Sequence, residues 1–229
     1  MKHSGLLLLV LLACSDGTGN NTKPKLDKTE HAFSQIYQAA TWSKNDAGTG
    51  NSGTGSTARA TTEYRALLQR VLAERGIRSV VDAGCGDWEF SQLVDWTGVD
   101  YKGYDIVEAV VAEDTKRFAK PGIQFFVGNI VTDKLPAADL LISKHVLQHL
   151  PDNDVIAFLK KLPDYKYALI TNGVEPSSKS ARHAIDIEPG GYRPLDITKP
   201  PFNIVGEKVL TYTDDHHFHQ VVLVTRDSK

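Results

Sequence analysis

The sequence predicts an α/β domain built on a parallel sheet. Three observations carry this. Short apolar runs bounded by Gly, Pro or Asp recur along the chain, and helical periodicity fills the intervals between them. The order is strand, loop, helix, repeated, which is the signature of parallel strands joined by helical crossovers. The composition is ordinarily globular, with 41% hydrophobic and 24% charged residues in a chain of 229, enough to bury a core without staples.

The elements follow in order. Residues 31–41 read as a short amphipathic helix with Phe33, Ile36, Tyr37 and Ala40 on one side. Residues 46–58 are rich in Gly, Ser and Thr and read as a flexible loop. A helix over 63–75 places Tyr64, Leu67, Leu68, Val71 and Leu72 at spacings of three and four, and Gly76 ends it. Strands are predicted at 79–83, 101–106, 123–127, 138–143 and 167–171. Helices are predicted at 90–94, 107–118 and 153–162, with another taking in Val146, Leu147 and Leu150. Two late strands fall at 207–213 and 220–225.

The first fourteen residues stand apart. Residues 6–13 form a continuous apolar run, too short for a bilayer span but fitting the apolar core of a signal peptide. Leu11-Leu12-Ala13-Cys14 resembles a bacterial lipobox, which implies lipidation of Cys14 and a membrane tether. The alternative is a segment with no targeting role and a cytoplasmic protein. Residues 15–28 read as a polar linker, and the domain runs over 29–229. With only Cys14 and Cys85, a disulfide framework is excluded. A net charge of −2 gives no basic field for nucleic acid.

The chemistry concentrates after the first strand, in Asp82-Ala83-Gly84-Cys85-Gly86-Asp87-Trp88. Two glycines let the backbone pass close to a ligand. The third glycine of the dinucleotide fingerprint is absent, and Glu89 stands there. Asp82 and Asp87 flank the turn. Such acids repel a pyrophosphate and suit a cationic ligand bearing hydroxyls. Asp105 follows Gly84 by 21 residues at the end of the second strand, the spacing at which an acid accepts from ribose hydroxyls. Asn129, beside Ile130, offers an amide to an adenine edge. All these loops open at the carboxyl ends of parallel strands.

These residues resemble the class I S-adenosylmethionine-dependent methyltransferases. Asp82-Ala83-Gly84-Cys85-Gly86 is similar to the family's D-x-G-x-G motif, and His145-Val146-Leu147-Gln148-His149-Leu150 to its segment after strand four. The resemblance implies a Rossmann-like, mostly parallel sheet of seven strands with helices on both faces and the last strand antiparallel. It implies S-adenosyl-L-methionine as cofactor. The residues it assigns to that cofactor are Asp82, Gly84, Cys85, Gly86, Trp88, Asp105, Ile106, Asn129, Ile130 and Lys144. Trp88 reads equally as core, Asp87 as a helix N-cap, and Lys144 as a cation orienting an acidic substrate or as a solvated lysine. His145 and His149, four residues apart, are candidate bases sharing a helix face. Asn172, Tyr192 and Arg193 are candidates for the pocket of a small-molecule acceptor. The 46–58 loop and the helix before it are candidates for a lid over the cofactor, with loop N–H groups, Arg59 or Arg65 receiving its carboxylate. The run from Asp214 to His219 matches no strong metal spacing and reads as a solvated hairpin, so no metal is expected. Two other readings are an NAD-dependent oxidoreductase and a cofactor-binding relative without turnover.

Overall fold

A computed structural model describes residues 27–42, 50–176, 185–214 and 217–226. The leader, Cys14 and most of the 15–28 linker lie outside the described residues, as do Asp215 and His216. Among the described residues, no helix is long and apolar enough to cross a membrane.

Among the described residues there are four α-helices and seven strands. They are α1 (Lys28–Gln38), α2 (Thr62–Glu74), β1 (Ser79–Ala83), β2 (Asp100–Asp105), α3 (Glu108–Phe118), β3 (Ile123–Val127), β4 (Leu140–Lys144), α4 (Asp152–Leu159), β5 (Tyr167–Val174), β6 (Glu207–Thr213) and β7 (Phe218–Thr225). The sheet order is β3-β2-β1-β4-β5-β7-β6. Strands β1 to β5 pair in parallel, and β7 runs antiparallel to both of its neighbours. This is the seven-stranded Rossmann-like sheet that the resemblance implied. Its carboxyl edge brings the ends of β1, β2, β3 and β4 together.

Local sequence explains the helix ends. Asp27 caps α1 by accepting the Glu30 N–H at 2.7 Å. Helix α2 closes on Gly76 at φ 60°, with Gly76 N–H to Ala73 O and Ile77 N–H to Leu72 O, the paired bonds of a Schellman end. Its apolar stripe, with Tyr64, Leu68 and Leu72, packs on one sheet face against Val80, Leu140 and Leu169. On the other face α1 and α4 supply Phe33, Val155 and Phe158 against Val81, Leu141 and Ile170.

Two predicted helices are only single 3-10 turns. At 90–94 the turn is Ser91–Leu93. The Ser91 carbonyl is shared between the Val94 N–H and the Trp96 indole, and the Asp95 N–H goes to the Gln69 side chain, so no second turn can form. After β4 the turn is Leu147–His149. Pro151 holds the preceding Leu150 extended (φ −112°, ψ 147°) and stops it. His145 and His149 therefore do not share a helix face.

Trp88 takes the core placement. It is 4% exposed and packs edge-on or tilted against Tyr101, Phe118 and Phe125 at 5.0 to 5.6 Å. Replacing Trp88 by Ala should cost about 3–5 kcal/mol of stability in a denaturant titration, the range for emptying an aromatic core site. A loss under about 1 kcal/mol would contradict the core placement.

Candidate functional site

The turn after β1 is shaped by what surrounds it. Gly84 has φ 87°, and a Cβ there would stand 2.4 Å from Val146 Cγ2. Gly86 has φ 58°, and its Cβ would stand 2.5 Å from Ser52 Oγ. Both positions accept only backbone. The Gly84 and Cys85 N–H groups donate to Tyr104 O at 2.8 and 3.0 Å. The Gly86 N–H donates to Asp105 Oδ2 at 3.1 Å, and the Val107 N–H to Asp105 Oδ1 at 3.0 Å. Asp105 thus ties the end of β2 to the glycine turn. Burial raises its pKa, against the pull of those N–H bonds. Deeper in β1, Asp82 accepts from Tyr101 OH at 2.7 Å, and burial lifts its pKa to about 7.

A cavity of about 800 Å³, including its open mouth, lies over these strand ends. Asp82, Gly84, Cys85, Gly86, Asp105, Ile106, Asn129, Ile130, Lys144 and His145 all line it. Acids beside glycine backbone suit the hydroxyls and positive charge of S-adenosylmethionine. Burial pushes the Cys85 thiol well up, so it stays protonated.

The segment before α2 forms the roof. Thr29, Phe33, Tyr37, Trp42, Ser52 and Ser56 line the same cavity. Asp87 holds this segment rather than capping a helix, since its Oδ2 accepts the N–H groups of Asn51 and Ser52 at 2.6 and 3.1 Å. Ser52 Oγ lies 2.8 Å from Tyr37 OH and accepts the Asp87 N–H at 3.0 Å. Those two loop N–H groups are thus committed to Asp87 and are not offered to a ligand carboxylate. Arg65 is committed too, donating to Ala58 O at 2.9 Å.

At the far wall, Lys144 is 7% exposed and donates from Nζ to Gly55 O at 2.8 Å. Burial lowers its pKa to about 7, with Asp214, Asp82 and Glu89 opposing. It is no solvated surface lysine. His145 is held at φ 57°, with its N–H to Thr171 O, a left-handed conformation that is strained for a side chain of this size. Its ring lies 4.4 Å from that of His219, which bonds Asp214 Oδ2 at 2.8 Å. His219 is 2% exposed and the Asp214 side chain 6%, so this part of the hairpin is not solvated. The sequence reading left both in a solvated hairpin. Their one signal was His219 alternating inward with Val221 and Leu223 along β7.

Other candidates are placed elsewhere. Arg193 is 2% exposed and spends its guanidinium on Asp152 at 2.6 Å and Asp186 at 3.4 Å, so it is not an acceptor clamp. Asn172 is buried in β5 outside the cavity wall. Tyr192 is half-exposed beside His149 and His217, also outside that wall. Asn129 borders the cavity, but its Oδ1 accepts from Val131 and Thr132 and its amide nitrogen donates to Asp27, which leaves little for an adenine edge. His149 packs on Trp42 at 4.8 Å and bonds Gly191 O through Nδ1 at 2.7 Å.

A sequence-family model described as an O-methyltransferase domain matches residues 26–174. Comparison with curated proteins returns no match. Among solved structures, the chain is similar to magnesium protoporphyrin IX methyltransferase (ChlM) from Synechocystis PCC 6803 with bound SAH. The TM-score is 0.55 at 16% identity, over 72% of this chain and 83% of that one. The N-terminal domain of EvdMO1 in the presence of SAH and D-fucose gives 0.54 at 13%, over 70% and 82%. TehB from Haemophilus influenzae gives 0.53 at 15%, over 73% of this chain and 63% of that one.

Burial lowers the His149 pKa to about 4, against the opposing bond to Gly191 O. A histidine whose folded pKa lies below its unfolded value contributes stability that is complete above about pH 6.5 and is lost as pH falls toward 4. Denaturant midpoints should therefore fall between pH 7 and pH 5, and a His149→Gln variant should show a flatter profile. An unchanged slope in the variant would assign the acid sensitivity to other groups.

Proposed function

Because the chain belongs to the O-methyltransferase domain family and is an S-adenosylmethionine-dependent methyltransferase, we propose that the cavity under α1 and the 50–56 loop holds the cofactor. A small hydroxyl-bearing acceptor then meets it at the Lys144–His145 end. Bound there, the cofactor supplies a methyl group already made electrophilic by its sulfonium. The protein binds, orients, excludes water and handles one proton.

Asp105 is the ribose partner in this reading. Each of its oxygens accepts one backbone N–H and keeps a further lone pair for a hydroxyl. Gly84, Cys85 and Gly86 pass beneath the methionine portion, and Ile106 and Ile130 offer apolar surface to the adenine. Lys144 directs N–H groups to Gly55 O and His145 Nδ1, and its remaining hydrogen-bonding position serves the cofactor carboxylate. The roof acts as a lid, latched by Asp87 on one side and Lys144 on the other.

The observation that carries the reading is the Asp105 carboxylate, fixed by the glycine turn at the end of β2 inside the cavity. Calorimetric titration with S-adenosylhomocysteine tests it. Asp105→Asn should weaken binding about 10- to 100-fold, since hydrogen bonds to a charged group contribute about 1.5–3 kcal/mol. Unchanged affinity would remove Asp105 from the ribose site.

The leader reading is also a proposal, supported by Leu11-Leu12-Ala13-Cys14 alone. Intact-mass measurement of the protein from its native host should show cleavage before Cys14 and an added lipid mass. A full-length, unmodified chain would rule the tether out.

A further inference from the structure

A second groove opens beside the roof, between α1, the glycine turn and α3. Three buried oxygens of residues that line it meet no hydrogen-bond partner: Asn51 Oδ1, Asp87 Oδ1 and Asp114 Oδ2. Asp114 is 1% exposed, so its carboxyl does not have bulk water to turn to. A buried carboxyl oxygen without a donor is costly, and a ligand that brings donors offsets that cost.

The three residues meet at the latch of the roof. The Asn51 N–H goes to Asp87 Oδ2 at 2.6 Å, and Asp87 is the charge that acts most on Asp114. With two carboxylates among the three acceptors, the missing partner is a donor-bearing cation. The rim agrees, since Glu30, Glu108 and Glu113 line the same groove and draw positive charge toward it. Among the described residues, Arg117 is the one cation in the lining. Its guanidinium lies over the Phe118 ring at 4.5 Å, with Glu113 at 4.0 Å. Among the described residues, no group of three or more His, Cys, Asp or Glu side chains is set to hold a metal ion. A primary ammonium group asks for less charge. It has three N–H donors for the three acceptors, and Ala109 and Val110 offer apolar wall to an alkyl stem.

We propose that this groove binds the primary ammonium group of an aliphatic amine on Asn51, Asp87 and Asp114, and that the bound amine strengthens the roof. The second half rests on the reading of the neighbouring cavity as the cofactor site. Asp87 joins the two places. Its Oδ2 holds the Asn51 and Ser52 N–H groups of the roof, and its Oδ1 is left for the amine. Tyr37 lines both the groove and the cavity and lies 2.8 Å from Ser52 Oγ. An ammonium group on Asn51 and Asp87 therefore fixes the residues that latch the roof, and by linkage amine and cofactor tighten each other's binding.

Binding is also coupled to a proton. The groups facing Asp114 are Cys85 and Asp87 from the glycine turn, Asp105 from β2, Glu108, Glu113 and Arg117 from its own helix, and Glu30 and Tyr37 from α1 across the groove. Burial first, then Asp87 and Asp105, raises its pKa to about 8, with Arg117 opposing. The carboxyl is thus mostly protonated at pH 7, and a cation beside it drives that proton off. Amine binding should release a proton and tighten as pH rises toward 8.

Calorimetric titration of the full chain with 1,4-diaminobutane at low ionic strength tests both halves. One saturable site with a dissociation constant below about 1 mM is expected. Its enthalpy should change with the buffer, which reports the released proton, and its affinity should rise about tenfold from pH 6.5 to pH 8. Asp114→Asn should bind the diamine about 10-fold more weakly or worse, with a flat pH profile. Without amine it should unfold at no lower temperature than the wild type, because a buried carboxyl without partners does not support the fold. Saturating diamine should raise the affinity for S-adenosylhomocysteine about 5-fold or more. No saturation up to about 10 mM diamine, a flat pH profile in the wild type, or unchanged binding in Asp114→Asn overturns the site. Potassium or magnesium chloride displacing the diamine at concentrations below its own dissociation constant would make this a metal site and overturn the ammonium assignment. Unchanged S-adenosylhomocysteine affinity overturns the coupling to the roof. A chain that binds diamine but no S-adenosylhomocysteine would instead sink the cofactor reading and leave the amine site standing.

Discussion

After β1 the chain must pass between Val146 and Ser52, and only bare backbone fits the gap. That constraint organises everything above the sheet. With no side chain at Gly84 or Gly86, the turn lies close against the β4 loop on one side and the 50–56 segment on the other. Its N–H groups are then aimed at β2, where the Tyr104 carbonyl and the Asp105 carboxylate receive them. One tight passage therefore places the carboxylate, the roof and the mouth of the cavity relative to each other. A Cβ at either glycine would shift all three together.

Low polarity around this passage decides which groups carry charge. Asp82 and Asp114 are driven up to about 7 and about 8 chiefly by burial, and Lys144 down to about 7 by the same cause. Asp87 and Asp105 add to the shift of Asp114, so α3 does not place another full charge beside them near neutral pH. The floor of the site thus avoids stacking uncompensated charges in a poorly solvated space. The same burial keeps His145, His149 and His219 neutral. Their chemistry is then set by which ring nitrogen is occupied, and that is a matter of partners: Lys144, Gly191 and Asp214 in turn.

Much of this was legible in the chain itself. Residues 79–83, 123–127 and 207–213 were predicted as strands with the bounds observed, because each is a short apolar or alternating run cut off by turn residues. The glycine turn and Asp105 were legible because their spacing is a local property of one strand–loop–helix unit. The two missing helices were not. Their periodicity was sound, but a tryptophan side chain took one carbonyl and a proline stopped the other. Arg193 was misplaced, and Trp88 was left between core and cofactor, for a related reason: nothing in their neighbourhood along the chain reveals the aromatic cluster or the two aspartates that absorb them.

The sequence by itself determined the α/β class, the glycine turn after β1 and the acid at the end of β2, since these depend on periodicity and short spacing within contiguous segments. The tertiary structure alone decided which side chains share the cavity. Ser52 and Asp87 are 35 residues apart, Gly55 and Lys144 are 89 apart, and His145 meets His219 only because β5 lies between β4 and β7. A single chain without its fold does not state such distances. They follow from the strand order, and the direction of each proton follows from the partner that this order supplies.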